Sequence, residues 1–233
     1  MTQWFAAHSL LTVLAVAALF TVLWLYFNRS RLRMAPAWAV ILGLLHVVLG
    51  VGCVKAFAML EAGSLRAAGA MSLFGAVFFL PPAYWLGARL TKRPVGAVFD
   101  VFTVPMVFTL ACARVNCLFS GCCLGLPIPG TGLRYPTREA ELIFYAVLLV
   151  WFFVRTGRHD TGGRLYPVYM AAYGGFRFVV EFFRASSAGT LFHLSHLWAA
   201  LCFLTGLSVW LELQRKAKGN KPSAKSNHRR KAT

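Results

Sequence analysis

Tyr173, Arg177, Glu181 and Arg184 follow one another at intervals of four, four and three residues. In a helix that spacing puts all four on one face. The simplest reading is an Arg177–Glu181 pair that neutralises itself and holds helices together. It does not explain why two arginines share one glutamate, nor why Arg114 and Arg138 flank a second polar stretch with Arg134, Glu139 and Glu141. Arg114 ends a long apolar run and is followed at once by Asn116, Cys117, Gly121, Cys122, Cys123 and Gly125. An arginine at membrane depth costs at least a few kcal/mol unless it is paired, wetted or functional. The guanidinium offers a planar fork of donors suited to phosphate. Several of them around one cavity point to a phosphorylated, lipid-soluble ligand.

The elements that must position these residues are helices in lipid. The chain of 233 residues is 58% hydrophobic and 13% charged, where a soluble domain would be about a quarter charged. About 20 apolar residues span a bilayer, and the sequence predicts seven such runs: 9–27, 36–57, 69–88, 95–117, 140–154, 165–183 and 191–212. The fold class is therefore all-α, a polytopic integral membrane protein. Pro81-Pro82 predicts a kink in the third run, and the fifth is short for a straight span. Lys55, Glu61 and Arg66 mark a link between the second and third runs, and 118–138 is a Gly/Pro-rich loop. Seventeen of the 24 basic residues fall on alternate loops and the tail. That bias puts the amino terminus outside, the carboxyl terminus in the cytoplasm and the Arg114 loop outside. Residues 1–212 form one membrane domain, and 213–233 a basic, disordered cytoplasmic tail able to touch anionic lipid. The net charge of +17 is then a matter of topology, and no nucleic-acid partner is expected. The first run is long enough to span and no small-residue cleavage site follows it, so no signal peptide is expected.

Six cysteines are present, four of them around Arg114. Their spacing is not a paired CxxC, so they read as small packing residues or a disulfide rather than a metal site. No metal or cofactor is expected. Asp100, inside the fourth run, needs a partner and reads as structural, capping or pairing another element. Trp4, Trp24, Trp38, Trp151, Trp198 and Trp210 read as interfacial anchors, and His46 as a packed polar residue between helices.

The stretch from Arg114 to Gly125 resembles the signature of the prolipoprotein diacylglyceryl transferase family. Asp100, Pro105 and Ala113-Arg114 match its lead-in, the stretch from Tyr173 to Arg184 is similar to its second motif, and Gly69 to Gly75 resembles a third. The resemblance implies transfer of a diacylglyceryl group from phosphatidylglycerol to the thiol of a lipobox cysteine in an exported prolipoprotein, at the bacterial plasma membrane. It also implies the roles. Arg177, Tyr173, Glu181 and Glu141 form the catalytic set, with Tyr173 and Glu181 orienting Arg177. Arg114, Asn116, Gly125, Arg138 and Arg184 form the substrate-binding set, with Arg114 on the lipid phosphate and Gly125 allowing close approach of backbone and ligand.

Departures mark a divergent, short member. Phe74 stands where the family commonly has a histidine, a proposed base for the thiol. Cys117 stands where it has asparagine, beside Asn116. Its His-Pro-Ser/Thr-Gln-Leu-Tyr-Glu stretch appears as Tyr135-Pro136-Thr137-Arg138-Glu139-Ala140-Glu141. His46, His193 and His196 are the candidates to replace the base. Two other functions stay open: a related phospholipid-dependent transferase with another acceptor or without catalysis, and a lipid or anion transporter.

Overall fold

The computed structural model describes residues 2–66, 71–158, 162–185 and 192–219. Seven helices run in chain order: α1 (Thr2–Phe27), α2 (Pro36–Ala62), α3 (Phe74–Leu90), α4 (Val95–Ser120), α5 (Thr137–Arg158), α6 (Leu165–Glu181) and α7 (Leu194–Gly219). Among the described residues the only strand-like pairings are two isolated bridges, Gly125 with Arg184 and Pro127 with Arg134. The all-helical expectation holds. Four helices, α1, α2, α4 and α7, are long and apolar enough to cross a membrane.

Several boundaries differ from the sequence reading. Lys55 and Glu61 do not form a link; they lie inside α2, which runs on to a left-handed Gly63. The fifth helix is not short, since α5 has 22 residues. The loop after Arg114 narrows to 121–136, because α4 continues through Ser120 and stops at a left-handed Gly121. The seventh helix takes in residues 213–219 of the expected tail. Residues 220–233 lie outside the described residues, as do Gly69 and Ala70 of the third motif.

Helix α4 is the interior element. Most of its apolar window is buried, whereas α1, α2 and α7 turn most of theirs outward. Leu11, Val48, Val147 and Leu204 are among the large apolar side chains left exposed on the outer helices, as expected of a surface solvated by lipid. Helices α6 and α7 pack at backbone distance. A Cβ on Gly174 would stand 2.6 Å from the Ala199 carbonyl, and one on Gly206 2.7 Å from the Pro167 carbonyl. Small residues permit such contact in membrane interfaces.

Prolines inside the helices are turned to tertiary use. A proline leaves the carbonyl four residues earlier without its helical donor. Pro81 frees Val77, whose carbonyl accepts a 2.5 Å hydrogen bond from the Tyr166 hydroxyl. Pro105 frees Val101, whose carbonyl accepts from Trp24 Nε1 at 2.8 Å. Orphaned carbonyls in lipid are costly, so both bonds tie helices together: α3 to α6, and α4 to α1. Trp24 is thus an internal tie rather than an interfacial anchor. Trp198 likewise packs inward, 5.2 Å from the Phe57 ring.

Asp100 has the structural role expected of it. Its carboxylate accepts from the backbone N–H of Gly163 at 2.7 Å and of Leu165 at 3.1 Å. It caps the start of α6 from a neighbouring helix, where Arg164 supplies no side-chain cap. An amide has one oxygen for two donors, so Asp100→Asn should lower stability by about 1.5–3 kcal/mol. Thermal unfolding in detergent checks this. Turnover per folded molecule should be retained, and a stable but inactive variant would place Asp100 in the chemistry instead.

Candidate functional site

The bundle brings the end of α4, the start of α5 and the end of α6 together. Arg114, Glu141, Arg177 and Glu181 are all buried there. Glu141 is the hub. Its carboxylate pairs with Arg114 Nε, with Arg177 Nη1 at 2.5 Å and with Arg184 Nη1 at 3.2 Å. Glu181 takes Arg177 Nη2 at 2.7 Å and lies 3.7 Å from Arg184 Nε. The simple Arg177–Glu181 pair therefore exists, within a larger network. Three guanidiniums against two carboxylates leave one formal positive charge. The Nε atoms of Arg177 and Arg184 are buried without a hydrogen-bond acceptor among the described residues. Spare donors and a surplus cation, both withdrawn from water, suit an anion.

Tyr173 lies one turn below Arg177 and is buried. Its ring stacks 6.3 Å from Tyr145 and 5.6 Å from Tyr169. Phe74 packs 5.7 Å from it, so the position that departs from the family pattern does face the site. Tyr145 is a residue that sequence reasoning missed. It is buried, and its hydroxyl has no partner among the described residues. Its place four residues after Glu141, on the same helical face, is the signal that could have found it.

Three expected residues stand apart from the cluster. Asn116 accepts a 2.7 Å hydrogen bond from Ser9 and so faces α1. Arg138 stays at the rim, donating to the Cys117 carbonyl at 3.4 Å and pairing with Glu139 at 3.5 Å. Gly125 does allow a close approach, but what approaches is the Tyr135 carbonyl. The loop at Gly125 is stitched to the end of α6 by Leu126 N–H to the Phe183 carbonyl at 2.8 Å and Ala185 N–H to the Leu124 carbonyl at 2.9 Å. That stitch carries Arg184 to Glu141.

Cys117 lies 3.9 Å from both Arg114 Nη1 and Cys123 Sγ. The hydrogen bond from Cys117 holds the Cys123 thiol below its ordinary range, and Arg184 and Arg114 act in the same sense against burial. Among the histidines, His46 is buried 3.3 Å from the Tyr84 hydroxyl, a packed polar pair as expected. His196 is buried, its ring 4.4 Å from Phe182. His193 donates its backbone N–H to His196 Nδ1 at 3.1 Å.

An apolar crevice runs beside α4. Near Arg114 it is lined by Leu10, Val13, Cys112 and Ala113. A separate cavity of about 480 Å³ lies toward the other end of the bundle, lined by Trp38, Leu45, Tyr84 and Phe102, with Arg33 and Arg93 at its margin. His46 borders both the crevice and this cavity.

A family model described as prolipoprotein diacylglyceryl transferase matches residues 3–212. The chain belongs to this family. Similar curated proteins are phosphatidylglycerol–prolipoprotein diacylglyceryl transferases. That of Dehalococcoides mccartyi is 25% identical over 166 residues, covering 65% of this chain and 62% of the relative. That of Cupriavidus pinatubonensis is 29% identical over 204 residues, 70% of each. That of Clostridium tetani is 25% identical over 140 residues, 53% of this chain and 55% of the relative. The chain thus spans under two thirds of the length of the Dehalococcoides relative. Family membership and four apolar helices make this a multi-pass membrane protein.

Proposed function

We propose that the chain transfers a diacylglyceryl group from phosphatidylglycerol to the lipobox cysteine thiol of exported prolipoproteins. The observation that carries this reading is the meeting of three guanidiniums on the buried carboxylate of Glu141. The lipid phosphodiester carries one negative charge, which matches the surplus charge of the cluster. Its departure as glycerol phosphate adds a second charge, and fixed buried donors stabilise charge that develops in the transition state. Arg114 and Arg177 hold the phosphate, Arg184 supports the leaving group, Tyr173 and Glu181 orient Arg177, and Glu141 keeps the three arginines together. Arg138 meets the headgroup from the rim. Gly125 and Asn116 shape the loop and the α4–α1 contact beside it. The acyl chains enter the crevice beside Ala113 and lie along α4 toward the cavity beside Val98, roughly 22 Å of helix away.

The bundle is proposed to cross a bacterial plasma membrane seven times, amino terminus out, with a disordered basic tail inside. Support comes from Arg29, Arg31, Arg33, Arg89, Lys92, Arg93, Arg155 and Arg164, which lie at the end of the bundle opposite Arg114. The test is complementation in bacteria depleted of their own transferase. Exported lipobox proteins should regain the diacylglyceryl mass shift, and persistently unmodified precursor would sink the reading. In the same cells a cysteine placed at exposed Thr131 should react with a membrane-impermeant maleimide. Labelling only after lysis would invert the topology.

A further inference from the structure

The left-handed Gly121 ends α4 and doubles the chain back. Cys123, itself at φ 59, thereby returns to the last turn of α4. The result is a cluster of three thiols. The sulfurs of Cys117, Cys122 and Cys123 all lie within 4.8 Å of one another, with Cys117 and Cys123 at 3.9 Å. Zinc–thiolate bonds are about 2.3 Å, so sulfurs on one zinc stand about 3.8–4.0 Å apart in tetrahedral or trigonal geometry. The cluster is therefore near binding geometry. Two of its sulfurs also accept from fixed donors: Ser120 Oγ reaches Cys122 at 3.3 Å, and Arg114 Nη1 is 3.9 Å from Cys117. Such outer contacts orient thiolate ligands. Sequence spacing hid this, because two ligands are adjacent and the third is a helical turn and a reversal away.

Three protein ligands leave a fourth position open, the pattern of catalytic rather than structural zinc. Cys122 is exposed, so the cluster is open to solvent on one side, and Cys117 lies beside the guanidinium that is proposed to hold the lipid phosphate. The proposed reaction consumes a thiol, and buried Phe74 offers it no proton acceptor. A coordinating thiol is deprotonated by the metal itself.

We propose that Cys117, Cys122 and Cys123 bind one zinc-class divalent cation whose open position takes and activates the acceptor thiol. The second half rests on the transferase reading. On coordination the acceptor S–H proton passes to water. The thiolate sulfur attacks the glyceryl carbon, the S–C bond forms, and the C–O bond to phosphate breaks. Its electron pair leaves on the phosphate oxygen beside Arg114 and Arg177. The metal keeps its oxidation state, and the thioether product, a weaker ligand than the thiolate, departs.

The test uses the full chain in detergent, reduced, stripped with chelator and titrated with Zn(II) or with Co(II) as the spectroscopic probe. One cation per chain and a sulfur-to-cobalt charge-transfer band are expected. Cys117→Ser, Cys122→Ser and Cys123→Ser should each weaken binding at least tenfold, and Cys53→Ser should not. Exposed Cys122 makes its variant the one to compare at matched thermal stability. Binding no tighter than in the triple serine variant overturns the site, as does a Cys117–Cys123 disulfide in protein isolated from membranes without reductant. A lipobox peptide with cysteine should shift the cobalt spectrum, and its serine analogue should not. Chelation should lower phosphatidylglycerol turnover at least a hundredfold, with recovery on adding Zn(II). Turnover unaffected by chelation overturns the proposal and leaves the transferase reading intact. Stoichiometric metal and a peptide-dependent spectrum without turnover support the site and overturn the transferase reading.

Discussion

Glu141→Gln should be among the most damaging single substitutions in the protein, costing about 3–5 kcal/mol of stability. The carboxylate is buried and touches three guanidiniums. Glutamine keeps the shape but removes the charge, leaving the arginines with Glu181 alone. Removing one partner of a buried ion network leaves the rest uncompensated, and that residue of unpaired charge sets the cost. Thermal unfolding in detergent, read beside Glu141→Asp, checks the effect. The aspartate variant should retain more stability, because it keeps the charge and loses only reach. Unfolding of Glu141→Gln at the wild-type temperature would show that something other than this carboxylate neutralises the cluster.

The second large effect concerns the proposed phosphate grip. Arg114→Lys and Arg177→Lys keep the charge but lose the fork of donors. A charge-assisted contact contributes about 1.5–3 kcal/mol, so each single should lower phosphatidylglycerol turnover roughly tenfold to a hundredfold in folded protein. Both arginines already meet on one carboxylate. If they also meet on one phosphate, the double variant should lose less than the two singles combined. Turnover of the two singles and the double in detergent decides it. Full activity in either single, or strictly additive losses, would show that they act on different groups.

How far the sequence carried depended on the range of each interaction. The face bearing Tyr173, Arg177, Glu181 and Arg184 was legible, since helical periodicity is local. Arg114 was legible because it ends an apolar run. Asp100 was legible as a structural acid, although its partners, the N–H groups of Gly163 and Leu165, come from another helix. The centrality of Glu141 was not derivable from spacing. It lies 36 residues from Arg177 and 43 from Arg184, and only packing of α5 on α4 and α6 joins them. Until then Glu181 is the natural counter-ion, being four residues away. Trp24 was misread for a related reason. Its position near a helix end suggests the interface, whereas its use follows from Pro105 in another helix, which leaves a carbonyl needing a donor. The thiol cluster depended on one backbone reversal at Gly121, which no spacing rule encodes.

The cap that Asp100 places on α6 has a consequence at the far end of the molecule. Helices α4 and α6 run parallel from that contact to the arginines. From Asp100 to Arg114 is 14 residues, and from Leu165 to Arg177 is 12, or roughly 21 Å and 18 Å of helical rise. The difference falls within the reach of an arginine side chain. The two helices thus share a common zero, and the height at which their guanidiniums meet is counted from it. Inserting one residue into either between those marks would turn its arginine by about 100° and lift it by about 1.5 Å. Sequences that keep this site must therefore conserve the lengths of these two segments together, even where the residues between them drift.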